Sequence, residues 1–263
     1  MENKIAVITG ATSGIGAAYA KEFARRGYDL ILTGRRKEIL ERNGEQIQST
    51  YGVEVHTLIA ELSNDEDVEK VLNFIRGKKV EVLINNAGFG IVGRFYETDI
   101  NSVCSLADVN VLAPIKLIHQ VLPGMIQRDK GIIINISSEG IYMAVPGNAA
   151  YSGVKAFLKT FSEGLSMDFY GTGVKVMAVC PGLTNTDFHG KMGLDPDRQV
   201  SKGMIQWMSP ENVVKESLKD LKKGRVVSIP GLHAKILVSI FRLLPGKIYY
   251  KMLYQFSQKN FSK

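Results

Sequence analysis

Short apolar runs alternate along the chain with longer stretches of helical period. Ile5 to Thr9, Asp29 to Thr33, Val53 to Ile59, Val80 to Ile84, Gly131 to Ile136, Lys175 to Cys180 and Arg225 to Ile229 read as strands. Most are rich in Val, Ile and Leu and bounded by Gly or polar clusters, as strands covered on both faces are. Between them the pattern predicts helices from a glycine turn to about Arg26, then to about Thr50, from Ser63 to about Arg76, and from about Asp99 to Arg128. Two more helices are expected, one around Tyr151 and one over Pro210 to Lys223 with Ser209 as its N-cap. Ser63-Asn64-Asp65-Glu66 has the form of a capping box. Strands alternating with helices predict an α/β fold with one doubly wound parallel sheet of about seven strands and ligands at the strands' carboxyl ends. A single domain is expected over residues 1–230, including an irregular substrate loop at 183–209, followed by a C-terminal extension at 231–263.

Composition narrows the class. With 263 residues, 45% hydrophobic and 22% charged, the chain has the profile of an ordinary soluble domain. Met1-Glu2-Asn3-Lys4 runs at once into an apolar strand, so no targeting segment is expected. Cys104 and Cys180 stand far apart in apolar stretches, which predicts two buried free thiols and a reducing, cytoplasmic setting. A net charge of +7 could suit nucleic acid, but the cations are spread without an aromatic-interleaved basic motif. No nucleic-acid partner and no metal site are expected.

Candidate chemistry lies at strand ends. Gly10-Ala11-Thr12-Ser13-Gly14-Ile15-Gly16 follows the first strand and opens a helix, the arrangement in which backbone N–H groups and a helix N-terminus cradle a pyrophosphate. The second strand ends in Gly34-Arg35-Arg36 with no acid, which suits a ribose 2′-phosphate better than a free 2′-hydroxyl. Asn85-Asn86-Ala87-Gly88 closes the fourth strand with residues small enough to lie against a flat ligand. After the fifth strand come Ser137 and Ser138, then Tyr151 and Lys155 at i,i+4 spacing, which puts phenol and ammonium on one helix face. A cation beside a phenol would pull its pKa down toward working range as a general acid.

In combination these motifs resemble the short-chain dehydrogenase/reductase family over about residues 4 to 230, and the resemblance implies a Rossmann-like fold. Thr9 to Gly16 is similar to its cofactor motif, Asn85 to Gly88 to its Asn-Asn-Ala-Gly motif, and Pro181-Gly182 with Thr186 to its nicotinamide-side motif. Asn110, Ser138, Tyr151 and Lys155 match its catalytic tetrad, Ser138 rather than Ser137 because it stands thirteen residues before Tyr151. The resemblance implies an NADPH-dependent carbonyl reductase. Gly10, Thr12, Ser13, Gly14, Ile15 and Gly16 would bind cofactor with Arg35, Arg36, Glu61, Leu62, Asn86, Ala87 and Gly88, as would Tyr151, Lys155, Pro181, Gly182, Thr184 and Thr186. Tyr151 would protonate the substrate oxygen, Lys155 would lower the Tyr151 pKa and hold ribose hydroxyls, Ser138 would bond the developing oxyanion, and Asn110 would hold a water. Asn86-Ala87-Gly88-Phe89-Gly90 and the long tail are similar to the 17β-hydroxysteroid dehydrogenase and 3-oxoacyl reductase branch. Glu61 stands where the family commonly has Asp near the adenine. The alternative is a catalytically silent NADP(H)-binding regulator or scaffold of the same fold.

Phe89, Ile91, Tyr142, Met143, Val145, Met192 and Met204 are the expected pocket wall, suited to a lipophilic ketone such as a steroid or 3-oxoacyl chain. The tail lacks the family's usual Gly-Gly ending, which favours a homodimer over the usual tetramer. Its apolar run Ile236 to Phe241, bracketed by Lys235 and Arg242, is far short of the ~20 residues a bilayer span needs. Packing on the substrate loop or on a partner subunit is the expected role of its apolar residues. Interleaved Tyr249, Tyr250, Met252, Leu253, Tyr254 and Phe256 with Lys247, Lys251 and Lys259 leave contact with an anionic membrane surface as the competing reading.

Overall fold

The computed structural model describes residues 4–188 and 206–261, with side chains through Gln255. Seven parallel strands form one sheet in the order β3-β2-β1-β4-β5-β6-β7. They are β1 (Ile5–Ile8), β2 (Asp29–Gly34), β3 (Val55–Ile59), β4 (Val80–Asn85), β5 (Gly131–Ile136), β6 (Val174–Val179) and β7 (Val227–Ser228). The order reverses between β1 and β4, the switch point at which such sheets bind ligands outside their carboxyl ends.

Helices cover both faces. α1 (Gly14–Arg25), α2 (Lys37–Tyr51) and α7 (Pro210–Lys222) lie on one side, where Tyr19, Phe23, Leu40, Val213 and Leu218 pack with Ile8, Leu32 and Ile84. α3 (Asp65–Ile75) and α5 (Ala113–Gln127) lie on the other, where Val68, Val71, Leu117, Val121 and Met125 meet Val7, Leu83 and Ile133. α4 (Ile100–Ala107) leads into α5, and α6 (Ala149–Asp168) also packs against this layer, through Phe161 and Leu165. Burial on both faces explains why the central strands read as unbroken apolar runs. The stretch Ile100–Gln127 is long and apolar enough to cross a membrane, but Leu106, Val109, Leu117 and Val121 turn into the sheet, so it is a core helix.

Four expectations are corrected. The helix from Asp99 to Arg128 is interrupted by a π turn at Asp108–Leu112; apolar periodicity is blind to one extra residue in a turn. The cap of α3 is Asn64, whose Oδ1 accepts from the N–H groups of Glu66 and Asp67, not Ser63. The last strand shrinks to Val227–Ser228, because the Arg225 N–H and guanidinium turn back to Asp220. Cys104 is exposed, since the helical period carries it outward despite apolar neighbours in sequence, whereas Cys180 is buried. Ser209 caps α7 as expected, accepting from the Asn212 N–H.

Two further helices, α8 (Leu232–Leu243) and α9 (Gly246–Phe261), follow the sheet. The Tyr249 hydroxyl accepts from the Ala144 N–H at 2.9 Å and donates to the Tyr142 carbonyl at 3.3 Å. Its ring meets Phe241 edge-on, and the Arg242 guanidinium lies 5.8 Å from the Tyr142 ring centroid. Among the described side chains, Val238 and Leu253 are the buried residues of these helices. The tail therefore packs on the segment after Ser138 through one face.

Candidate active site

At the end of β1 the chain turns sharply. Gly10 and Gly14 adopt φ of +66° and +58°, conformations that suit glycine. A Cβ on Gly16 would stand 2.4 Å from the Gly10 carbonyl oxygen and 2.5 Å from Asn86 Nδ2, so only hydrogen fits. Asn86 holds the turn by donating to the carbonyls of Thr9 and Gly10 at 3.0 and 3.1 Å. Thr9 Oγ1 in return accepts from the N–H groups of Asn86 and Ala87, both at 3.0 Å. No side chain caps α1, so the free N–H groups of its first turn face the cleft, where the macrodipole favours an anion.

The floor of the cleft is set by α6, fixed to the sheet by a buried polar ladder. Asn85 Nδ2 donates to Asn135 Oδ1, and Asn135 Nδ2 donates to Ser162 Oγ, each at 2.8 Å. About two turns of α6 further toward the site, Ser137 Oγ donates to the Lys155 carbonyl at 2.7 Å and Lys155 Nζ donates to the Ile136 carbonyl at 2.8 Å. The two serines thus separate in role: Ser137 is buried and fixes the helix, while Ser138 hydrogen-bonds the Tyr151 phenol. Lys155 Nζ lies 5.9 Å from the Tyr151 ring centroid.

The electrostatics differ from expectation. Burial pushes the Tyr151 phenol up to about 12, with the Ser138 hydrogen bond pulling the other way. Lys155 is not among the causes of that shift; its own ammonium is lowered to about 8 by burial. In the protein alone, then, Lys155 does not bring the phenol toward neutral pH. It is instead a cation held on the edge of losing its proton.

Asn110 lies in the π turn and is fully buried. Its Nδ2 donates to the Leu106 carbonyl at 2.9 Å, but its Oδ1 has no partner among the described residues. A Cβ on Gly88 would sit 2.7 Å from that oxygen and 3.2 Å from Lys155 Nζ, so the three groups converge on one small space. A buried acceptor without a donor is costly and marks a place for a water or a ligand hydroxyl.

The glycine turn, Ser137, Ser138, Tyr151 and Lys155 border one open cleft enclosing about 1370 Å³, solvent-facing space included, and Asn110 lies buried behind its wall. Of the expected cofactor residues, all but Gly16 line it; Gly16 lies behind the turn. At the far end Arg36 donates to Thr12 Oγ1 and Ser13 Oγ at 2.9 and 2.7 Å and pairs with Asp187 at 2.9 Å. Arg35 pairs with Glu61 at 2.9 Å, so the carboxylate standing at the adenine position is engaged by a guanidinium. Of the expected pocket wall only Phe89 lines the cleft. Ile91 lines a separate small hollow with Phe95 and Thr98. Tyr142, Met143 and Val145 are half-buried outside the cleft, Tyr142 being taken up by the tail. Met192 and Met204 lie outside the described residues. Sequence reasoning missed Phe188, whose ring stands 5.7 Å from that of Tyr151, and Asp187 beside it; both fall in a stretch without periodicity.

The residues fit a nicotinamide dinucleotide. The glycine turn admits backbone-close contact with a pyrophosphate, the orphaned Asn110 oxygen awaits a donor, and guanidinium groups border the far end. The family described as short chain dehydrogenase matches residues 4–197. The very-long-chain 3-oxoacyl-CoA reductase of Mus musculus is 32% identical over 257 residues, covering 96% of this chain and 79% of that protein. A short-chain dehydrogenase from Sphingobium yanoikuyae, solved in complex with NADPH, superposes with a TM-score of 0.81 at 33% identity over 88% of each chain. A 7β-hydroxysteroid dehydrogenase superposes with a TM-score of 0.86 at 26% identity, covering 95% of this chain and 96% of that one. The cleft is that of an oxidoreductase interconverting carbonyls and alcohols with a nicotinamide dinucleotide, and the chain belongs to the short-chain dehydrogenase/reductase family.

Proposed function

We propose that the protein is an NADPH-dependent reductase of lipophilic ketones, with Tyr151 as general acid. The observation that carries this reading is the convergence of Tyr151, Ser138 and Lys155 at one end of a cleft, with the buried Asn110 oxygen behind Gly88 and beside Lys155, while the other end is bordered by Arg35 and Arg36. A nicotinamide held in this cleft would supply the hydride for the carbonyl carbon. Tyr151 gives its phenolic proton to the carbonyl oxygen as charge develops there, and Ser138 donates a hydrogen bond to the same oxygen. The ammonium of Lys155 stabilises the phenolate left behind and holds a ribose hydroxyl. Asn110 Oδ1 accepts from a water that returns a proton toward Lys155.

Preference for the phosphorylated cofactor is supported by the absence of an acid at the end of β2 and by the two guanidiniums there. A 2′-phosphate offers Arg36 a doubly charged partner in place of the half-exposed Asp187 carboxylate. Phe89 and Phe188 give the Tyr151 end an aromatic wall, and the mouse reductase and the hydroxysteroid dehydrogenase are named for a very-long-chain 3-oxoacyl thioester and a hydroxysteroid. NADPH consumption with a panel of aliphatic, steroidal and 3-oxoacyl ketones tests the whole reading. Tyr151→Phe is expected to lose about 10²- to 10⁴-fold in turnover while binding NADPH as before. The Arg35→Ala/Arg36→Ala variant is expected to lose its NADPH preference over NADH, which should be at least about tenfold in the natural chain. Cofactor binding with no turnover of any ketone would favour the silent NADP(H)-binding reading.

A further inference from the structure

The tail's outward face goes unused by any contact described above. On α8, Val238 points into the protein, and at about 100° per residue Leu232, Ile236, Ile240 and Leu243 fall within about 80° of one another on the opposite side. Their exposure runs from 50% at Ile236 to 83% at Leu243. Lys235 and Arg242 both lie on one side of this stripe, Lys235 paired with Glu216 at 3.3 Å and Arg242 over the Tyr142 ring. On α9, where Leu253 is the buried residue, Lys247 and Lys251 point outward between exposed Ile248 and Met252 on one side and Tyr250 and Tyr254 on the other.

Charge decides what this face meets. Residues 231–263 hold six Lys and Arg and no Asp or Glu, so they account for six of the seven net positive charges of the chain. A second copy docked face to face would bring like charges together with no acid in either tail to relieve them. An anionic lipid surface offers both things the face lacks: negative headgroups for the cations and acyl chain for the aliphatic stripe. Long basic side chains beside an apolar stripe can keep their charge among headgroups while their stems lie in the apolar layer, and Tyr suits the boundary itself.

We propose that α8 and α9 form a monotopic docking surface for anionic membranes, lying in the headgroup plane with the Leu232–Ile236–Ile240–Leu243 stripe directed into the lipid. Tyr249 ties the same helices to Ala144 and Tyr142, in the segment leading away from Ser138, so docking holds the region just beyond Ser138 close to the lipid. That an apolar ketone would reach the site from the bilayer rests on the proposed reductase reading; the docking itself does not.

Co-sedimentation of the full chain with vesicles tests it, using phosphatidylcholine alone against phosphatidylcholine containing phosphatidylglycerol. The protein is expected to pellet with the anionic vesicles and to be released as salt rises. Ile236→Ser/Ile240→Ser and, separately, Lys247→Glu/Lys251→Glu should each weaken partitioning by about tenfold or more, since apolar area and charge both contribute. All four positions are exposed, so NADPH binding and far-UV circular dichroism should be unchanged, which reports folding independently of ketone turnover. Absence of pelleting, equal pelleting with both vesicle types, or variants that bind like the natural chain would overturn the proposal. A variant that lowers the solution mass without vesicles would overturn it in favour of a second copy as the occupant.

Discussion

The two lips of the cleft are held by different means. The glycine lip is locked from within: Thr9, Asn86 and the backbone of Gly10 exchange hydrogen bonds over short distances, and Gly16 packs closer than any side chain would allow. The opposite lip, at Ser137 and Ser138, is continued by residues 139–145, which lie outside the cleft and are held by the hydroxyl of Tyr249 and the guanidinium of Arg242, both from the C-terminal helices. A lip closed by backbone fit tolerates no change and serves a ligand of fixed shape. One held by a few side chains can be re-tuned without unfolding the sheet, which suits the side that selects among substrates.

The sharpest break of that contrast is Gly16→Ala. The added methyl would meet the Gly10 carbonyl oxygen at 2.4 Å, and backbone cannot swing aside as a flexible side chain can. Overpacking of this kind costs about 1–3 kcal/mol, and the displaced turn no longer matches the pyrophosphate. NADPH affinity is expected to fall by about ten- to a hundredfold, measured by fluorescence titration, with a lowered melting temperature. An unchanged Kd would mean that the lip is as adaptable as its opposite.

Where the lips meet, Lys155 sets a pH dependence. Burial lowers its ammonium to about 8, whereas Tyr151 stays protonated to about 12. Below pH 8 both protons are in place, and the charged Lys155 can stabilise the phenolate formed as Tyr151 gives up its proton. Above pH 8 the lysine is neutral and that stabilisation is lost, so kcat/KM for reduction should be level below about 8 and fall about tenfold per pH unit above it. Lys155→Met should give a low, level profile. A rate constant that holds to pH 10 in the natural chain would remove the lysine charge from the chemistry.

How much of this was legible in the sequence follows the same division. The glycine turn, the strand ends and the Tyr151–Lys155 pair show in sequence because their requirements are local: a positive φ, an i,i+4 spacing, an apolar run. Arg35 and Arg36 were visible as cations, but their partners Glu61 and Asp187, 26 and 151 positions away, were not. The π turn that presents Asn110 leaves no trace in an apolar periodicity. Tyr142 and Met143 were expected in the pocket wall on hydrophobicity alone. Their placement depends on a tyrosine more than a hundred positions on, which no local pattern encodes.

That tyrosine gives the smallest effect and the cleanest test of the opposite lip. Tyr249→Phe keeps the ring against Phe241 and removes only the hydroxyl, leaving the Ala144 N–H and Tyr142 carbonyl to find water. Both lie near the surface, so the loss should be that of ordinary hydrogen bonds, about 0.5–1.5 kcal/mol each at most. Melting should fall by a few degrees. With the reductase assay in hand, KM for bulky ketones should rise about two- to fivefold while NADPH affinity and the pH profile stay as they were, because the glycine lip shares no bond with Tyr249. If NADPH affinity shifts by the same factor as KM, the two lips move as one body and the contrast between them fails.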